Sequence, residues 1–322
     1  MTFYKDLCNA TIIFYNNNNY INMSNHSLPQ KTREMHTHHF DSTIWNDFPF
    51  RDDDIIIATY AKAGTTWMQQ IVSQLIFNGE IGLPVADMSP WMDLCVPPAP
   101  IKMEMVMAQT NRRFLKTHLP IDALVFSEKA KYLYIGRDGR DVLWSWYNHH
   151  QTANEIFYNA VNSSPHLVGP PFSKPEGDIK EYYQKWLEED GYPFWSQWDN
   201  VSSWWKIKDL PNVHFVHYAN LKSDMPDEIR KIAAFLDIPI DESKWEAILK
   251  HCSFDYMKKN AAASVPGGGI FWEGGASSFI NKGTNSRWKE VLSSEESAEY
   301  ERIAEEKLGK ACAHWLQTGE MI

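Results

Sequence analysis

The feature that most constrains this chain is a buried strand that runs directly into a glycine turn and then a helix. Residues 54–60 (DIIIATY) form a short, β-branched apolar run, the pattern of a strand covered on both faces of a parallel sheet. Gly64 interrupts it. From Trp67 onward Ile71, Val72, Leu75 and Ile76 recur at helical spacing until Asn78 and Gly79 end the pattern. The connecting stretch is Tyr60-Ala61-Lys62-Ala63-Gly64-Thr65-Thr66-Trp67. A glycine here lets the backbone turn sharply and leaves the first N–H groups of the helix unpaired and aimed outward. Those groups, with the positive end of the helix dipole, attract an anion. Thr65 and Thr66 add hydroxyl donors and Lys62 adds a charge. In the triphosphate loop, G-x-x-x-x-G-K-[ST], the lysine follows the glycine. Here it precedes the glycine, which favours a single phosphate group over a metal-chelated triphosphate. A threonine-capped helix with a solvated lysine is the plainer alternative.

Three more strand candidates follow. They are residues 113–117 (RFLKT), ending at His118-Leu119-Pro120; residues 131–136 (KYLYIG), running into Arg137; and residues 213–218 (VHFVHY). Helical patterns follow through Trp144 and Tyr147, and from about residue 226 to 236. Strands alternating with helices predict an α/β fold with a central parallel sheet flanked by helices. A length of 322 residues allows one domain or two, but no linker or repeat divides the body, so a single domain over residues 41–322 is expected. Residues 1–40 read as a flexible N-terminal extension, polar and aperiodic, with Asn16 to Asn19 in a row. Its histidines His36, His38 and His39 lack a scaffold that would fix metal ligands, and they read as part of a solvated tail. The methionines Met103, Met105 and Met107 alternate, as on one face of a strand packed on the core; an adaptable flap is the other reading.

A formal net charge of −10 argues against a nucleic-acid partner, while a few focused basic groups still suffice for an anionic small molecule. Cys8, Cys95, Cys252 and Cys312 are scattered without a CxxC pair, as in a reduced protein. No run reaches the ~18 apolar residues of a membrane span, and the start has no basic leader with a cleavage site. A cytoplasmic protein without a metal is therefore expected.

The stretch YAKAGTTW resembles the 5′-phosphosulfate loop of the cytosolic-type sulfotransferases, usually written YPKSGTTW; Ala61 and Ala63 replace its Pro and Ser. The resemblance implies a single P-loop-like domain using 3′-phosphoadenosine 5′-phosphosulfate (PAPS). Lys62 would meet the oxygen bridging sulfate and phosphate, the loop from Ala63 through Thr66 would hold the 5′-phosphate, and Trp67 would pack on adenine. The segment from Arg137 to Ser145 is similar to the family's R-[ND]-x-x-D-V-x-x-S, in which Arg137 and Ser145 would bind the 3′-phosphate. Read alone, Arg137 is better taken as a helix-start arginine paired with Asp138 or Asp141. Lys116-Thr117-His118-Leu119-Pro120 matches the family's KTHLP, whose histidine is the catalytic base. Phe279-Ile280-Asn281-Lys282-Gly283 resembles F-x-R-K-G with Asn281 in place of arginine, a loss of charge that Arg287 is positioned in sequence to restore. Tyr218 and Phe254 match adenine contacts.

By this resemblance His118 would take a hydroxyl proton, with Lys62 and Lys116 stabilising charge on the leaving oxygen and the transferred group. A small hydroxylated acceptor would sit against Trp91, Phe157, Tyr158, Phe172, Tyr192, Phe194 and Trp195. A phosphotransferase and a non-catalytic binder of 3′-phosphoadenosine 5′-phosphate (PAP) are the alternatives. The first needs a triphosphate loop that the chain lacks, and the second needs no base. The family's homodimer motif, K-x-x-x-T-V-x-x-x-E, is not matched after Lys289, where Ser293, Ser294 and Ala298 hold its key places.

Overall fold

A computed structural model describes residues 28–163, 171–191 and 194–322. Its sheet has four parallel strands in the order β2-β1-β3-β4: β1 (Ile55–Thr59), β2 (Phe114–Thr117), β3 (Lys131–Gly136) and β4 (Val213–His217). In register, Ile55 lies beside Phe114 and Lys131, and Tyr132 beside Val213. The apolar run of residue 54–60 thus becomes a central strand buried along its whole length.

Side-chain alternation along the strands creates two cores. Ile55, Ile57, Leu133, Ile135 and Val216 face one side, packed by helix α1 (Thr65–Ile76) and by the helices Met225–Phe235 and Trp245–Cys252. Ile56, Ala58, Tyr132 and Tyr134 face the other, where many of the tryptophans lie. Trp186, Trp198, Trp204 and Trp315 fill the space beneath the helices Ile179–Glu188, Gln197–Trp205 and Lys310–Thr318. Trp315 presses so closely on Gly136 that a Cβ there would sit 2.2 Å from its ring. All four strands run the same way, so the segments after β1, β2, β3 and β4 emerge along one edge.

Three expectations need correcting. Residues 28–40 are not a solvated tail. Arg33 pairs with Asp122 and Asp199, the Thr32 N–H donates to the Asp122 carbonyl at 2.8 Å, and His39 and Phe40 are buried. Residues 1–27 lie outside the described residues. The alternating methionines are on a helix, Ala99–Met107, where a spacing of two puts successive residues on different faces. Met103 packs on the core while Met105 and Met107 are exposed. The last strand ends at His217, and Tyr218 opens a short helix, Tyr218–Ser223, whose amide at Ala219 is capped by His217 Nδ1.

At the opposite edge the strand starts are tied by a fully buried ion pair. Arg113, just before β2, donates from Nε to Asp54 Oδ1 at 2.7 Å and from Nη2 to both Asp54 Oδ2 and the Pro49 carbonyl. The Arg51 amide also donates to Asp54. Removing one partner strands the other charge, a loss of ~3–5 kcal/mol. Asp54→Ala is therefore expected to lower unfolding free energy by about that amount in urea titration, whereas a change below about 1 kcal/mol would show that water reaches the arginine.

Candidate active site

The loop after β1 is shaped by two positive backbone angles. Lys62 has φ 70° and Gly64 φ 122°. A Cβ at Gly64 would lie 2.9 Å from the Tyr218 ring, so both backbone angle and space demand glycine. The Ala63 N–H closes the turn onto the Tyr60 carbonyl, and the Ala63 side chain is buried in the core. Its expected share in holding a ligand is therefore reduced. The N–H groups of Thr65, Thr66 and Trp67 have no acceptor among the described residues, which leaves the start of α1 as an open anion cradle.

Apart from Ala63, every residue picked out for donor binding or catalysis borders one cavity of about 720 Å³. Lys62, Lys116 and Arg137 converge on it, Lys116 and Arg137 buried and Lys62 partly so, and none forms an ion pair among the described residues. Burial, then Lys116 and Arg137, hold the Lys62 ammonium down at about 7. Burial holds Lys116 at about 8 against the opposing pull of Asp93. Lys62 Nζ lies 3.1 Å from His149 Nδ1 and over the Phe279 ring. The arginine paired with Asp138 at the start of helix Gly139–Thr152 is Arg140, stacked on Trp288. Arg137 is left to reach the carbonyls of Lys62 and Thr284 and the Asn285 side chain, with its guanidinium 4.2 Å from the centre of the Tyr218 ring.

His118 follows β2 and is held at both ends. Its amide donates to Asp93 and its carbonyl accepts from Asn200 Nδ2. Nδ1 lies 2.9 Å from the Thr59 carbonyl, so it carries the proton and leaves Nε2 as the basic nitrogen. Thr59 Oγ1 also contacts both Nδ1 and the Thr65 hydroxyl, linking the histidine to the anion cradle. Burial above all, with Lys116 next, holds His118 well below its usual value and therefore neutral. Asp93 forms no ion pair among the described residues, although its charge acts on Lys116. It accepts from the indoles of Trp91 and Trp45, which fixes Trp91 edge-on against His118 at 4.5 Å.

One end of the cavity is a slot between Trp67, Tyr218 and Phe254. The Trp67 indole N–H is anchored on the Cys252 carbonyl, and Phe254 lies against Gly283, where a Cβ would approach within 2.6 Å. Ser145, Asn281, Lys282 and Arg287 border the same region. The other end is aromatic. Trp91 and Phe157 border the cavity, Phe172, Phe194 and Trp195 stand behind them with Tyr158, and Tyr192 lies outside the described residues. Three groups there carried no readable signal in the sequence. His149 and Asp93 lie in no motif, and His39 belongs to residues 1–40, which read as an extension. Among the described residues no cluster of His, Cys, Asp or Glu could hold a metal ion, and no helix is long and apolar enough to cross a membrane.

The sulfotransferase-domain family model matches residues 52–311. The chain is 31% identical over 271 residues to sulfotransferase 1C2 of Homo sapiens, covering 81% of this chain and 85% of that protein. It is 28% identical over 283 residues to the glycolipid sulfotransferase of Mycobacterium tuberculosis, covering 81% and 86%. Among solved structures, mouse sulfotransferase SULT7A1 complexed with PAP aligns with a TM-score of 0.66 at 22% identity, over 85% of this chain and 92% of that one.

The cation cluster makes anion binding proton-linked. An anion beside Lys62 favours the charged ammonium and raises its pKa, so at pH 8 binding takes up as much as about one proton. Sulfate is fully ionised at that pH, and its titration by calorimetry in buffers of different ionisation enthalpy reads the uptake directly. Lys62→Met should lose most of it; a heat of binding independent of buffer would show that Lys62 is already charged.

Proposed function

This chain belongs to the sulfotransferase family, and from that premise we propose that it transfers a sulfuryl group from PAPS to the hydroxyl of a small aromatic or apolar acceptor. The observation that carries the donor assignment is the unpaired charge. Lys62, Lys116 and Arg137 face one cavity together with the free amides at the start of α1, and the aromatic slot lies alongside. This set suits a flat ring with anionic groups at two ends. The amides and hydroxyls of Thr65 and Thr66 would hold the 5′-phosphate, and Arg137, Ser145 and Lys282 the 3′-phosphate. Trp67, Tyr218 and Phe254 would enclose the adenine, with Asn281 and Gly283 completing the wall. The donor supplies an activated sulfuryl group on a phosphate leaving group.

The remaining chemistry belongs to the side chains. With Nδ1–H donating to the Thr59 carbonyl, His118 offers the Nε2 lone pair and accepts the acceptor's hydroxyl proton. Its neutrality is guarded by burial and by Lys116, so it is competent as a base at cellular pH. Lys62 would neutralise charge on the leaving oxygen and Lys116 charge on the transferred group. The aromatic chamber beyond His118 excludes water and supplies flat apolar contacts, which favours a phenol or aryl alcohol. A phosphotransferase is disfavoured by the position of Lys62 before Gly64, and a non-catalytic PAP binder by the held orientation of His118.

His118→Ala should lower turnover of a phenol by ~10²–10⁴-fold, with the dissociation constant for PAP, measured by calorimetry, close to that of the parent chain. Near-normal turnover would remove His118 from the base role, and lost PAP affinity would make it a structural residue.

A further inference from the structure

Among the polar rings at the aromatic end that the sulfuryl-transfer chemistry does not use, His39 borders the cavity itself. His39 comes from the segment ahead of residue 52, where the family match begins. It is locked against the body: its carbonyl accepts from the Cys95 amide at 2.6 Å, and the neighbouring Phe40 lies 4.4 Å from Trp195 between ring centres. The imidazole is 4% exposed and borders the cavity. No hydrogen bond reaches either of its ring nitrogens among the described residues; Nε2 is fully enclosed, which leaves Nδ1 as the nitrogen a ligand can reach. Around it stand Phe157, Phe172 and Phe194, which offer no partner. Buried polar groups are normally satisfied, and one left bare on the wall of a ligand cavity points to a ligand that completes it.

Its place relative to the base is fixed by two tryptophans. Trp91 meets His118 edge-on at 4.5 Å and stacks near His39 at 6.3 Å; Trp195 lies 6.0 Å from His118 and 5.9 Å from His39. A flat ring system resting on Trp91 in the cavity has both His118 and His39 on the same wall. Burial, with His38 and His150 adding to it, holds His39 at about 3, so the ring is neutral and offers one donor and one acceptor. A neutral imidazole suits a hydroxyl or carbonyl and disfavours a carboxylate, which would be buried without a counter-charge.

We propose that His39 is a specificity-determining residue that hydrogen-bonds a second, uncharged polar group of the acceptor. The preferred acceptors are then flat aromatic alcohols with another hydroxyl or a carbonyl remote from the hydroxyl that reacts. This rests on the reading of the cavity as the acceptor site of a sulfotransferase.

The test compares matched acceptors on the PAP-saturated full chain by calorimetry: a naphthol against the corresponding naphthalenediol, and a phenylphenol against the corresponding biphenyldiol. A symmetric diol gains twofold statistically; beyond that, a satisfied hydrogen bond is expected to give the diol about a tenfold preference in at least one pair. In His39→Phe the ratio should fall to the statistical value, and in His39→Gln, which restores a donor and acceptor, it should partly return. PAP affinity and thermal unfolding report whether each variant is folded. If His39→Phe fails to fold, the parent's diol preference and its change in His39→Gln decide the matter. A parent ratio near two, a ratio unchanged in His39→Phe, or no phenol binding at all overturns the inference. Turnover separates it from the underlying reading. Sulfated product without diol preference leaves the sulfotransferase standing and removes His39. Diol-selective binding without sulfate transfer does the reverse.

Discussion

Everything at the site depends on three cations, Lys116 and Arg137 buried and Lys62 partly so, that face one cavity without an ion pair among the described residues. Lys62, Lys116 and Arg137 reach it from the segments after β1, at the end of β2 and after β3, and the acids close by are committed elsewhere. Asp93 is occupied by two indoles and the His118 amide, and Asp141 accepts from the Ser286 amide. Burial, with Lys116 and Arg137 adding to it, pulls Lys62 down to about 7, and burial raises Asp141 to about 6 against the pull of Arg137. An arrangement so unfavourable in isolation is completed by an anion, and the unpaired amides of Thr65 and Thr66 add to the same attraction.

The two edges of the sheet divide the labour that this imposes. Before β1 and β2, Asp54 and Arg113 neutralise each other in a closed, fully buried pair, and the Ile55 amide ties onto the Arg113 carbonyl. After β1 and β2 the chain instead exposes Lys62 and His118, joined through Thr59 and Thr65. A rigid base on one side of a five-residue strand lets charge go unpaired on the other. The tryptophan-rich core beneath Tyr134 holds β3 and β4 in place, so that Arg137 and Tyr218 meet across the loop at Gly64.

The sheet and the cradle were legible because they depend on local rules, while Arg137, Ser145, Tyr218, Phe254 and Lys282 on the cavity wall were reached through the resemblance of their segments to the family's motifs. A β-branched run followed by a lysine, a glycine and two threonines has few ways to fold, and the structure agrees with the reading of β1 and α1 to within two residues at either end. What stayed hidden depends on contacts distant in sequence. His39 is placed by Cys95 and Trp195, and nothing within residues 28–40 signals that they dock. The methionines at 103, 105 and 107 have the period of a strand, but Pro97 and Pro98 just ahead favour a helix start, and only one of the three needs to meet the core. His149 became visible only once its helix set it beside Lys62, a pairing across 87 positions of sequence.

The central claim, that this arrangement moves sulfur rather than merely binding an adenine bisphosphate, is tested most directly by following the sulfur atom. The full chain would be incubated with PAPS radiolabelled at sulfur and a naphthol, and the products separated. The account predicts label in naphthyl sulfate, with one PAP released for each sulfate ester formed. Label remaining on the donor, or appearing only as inorganic sulfate while PAP binds tightly, would contradict it.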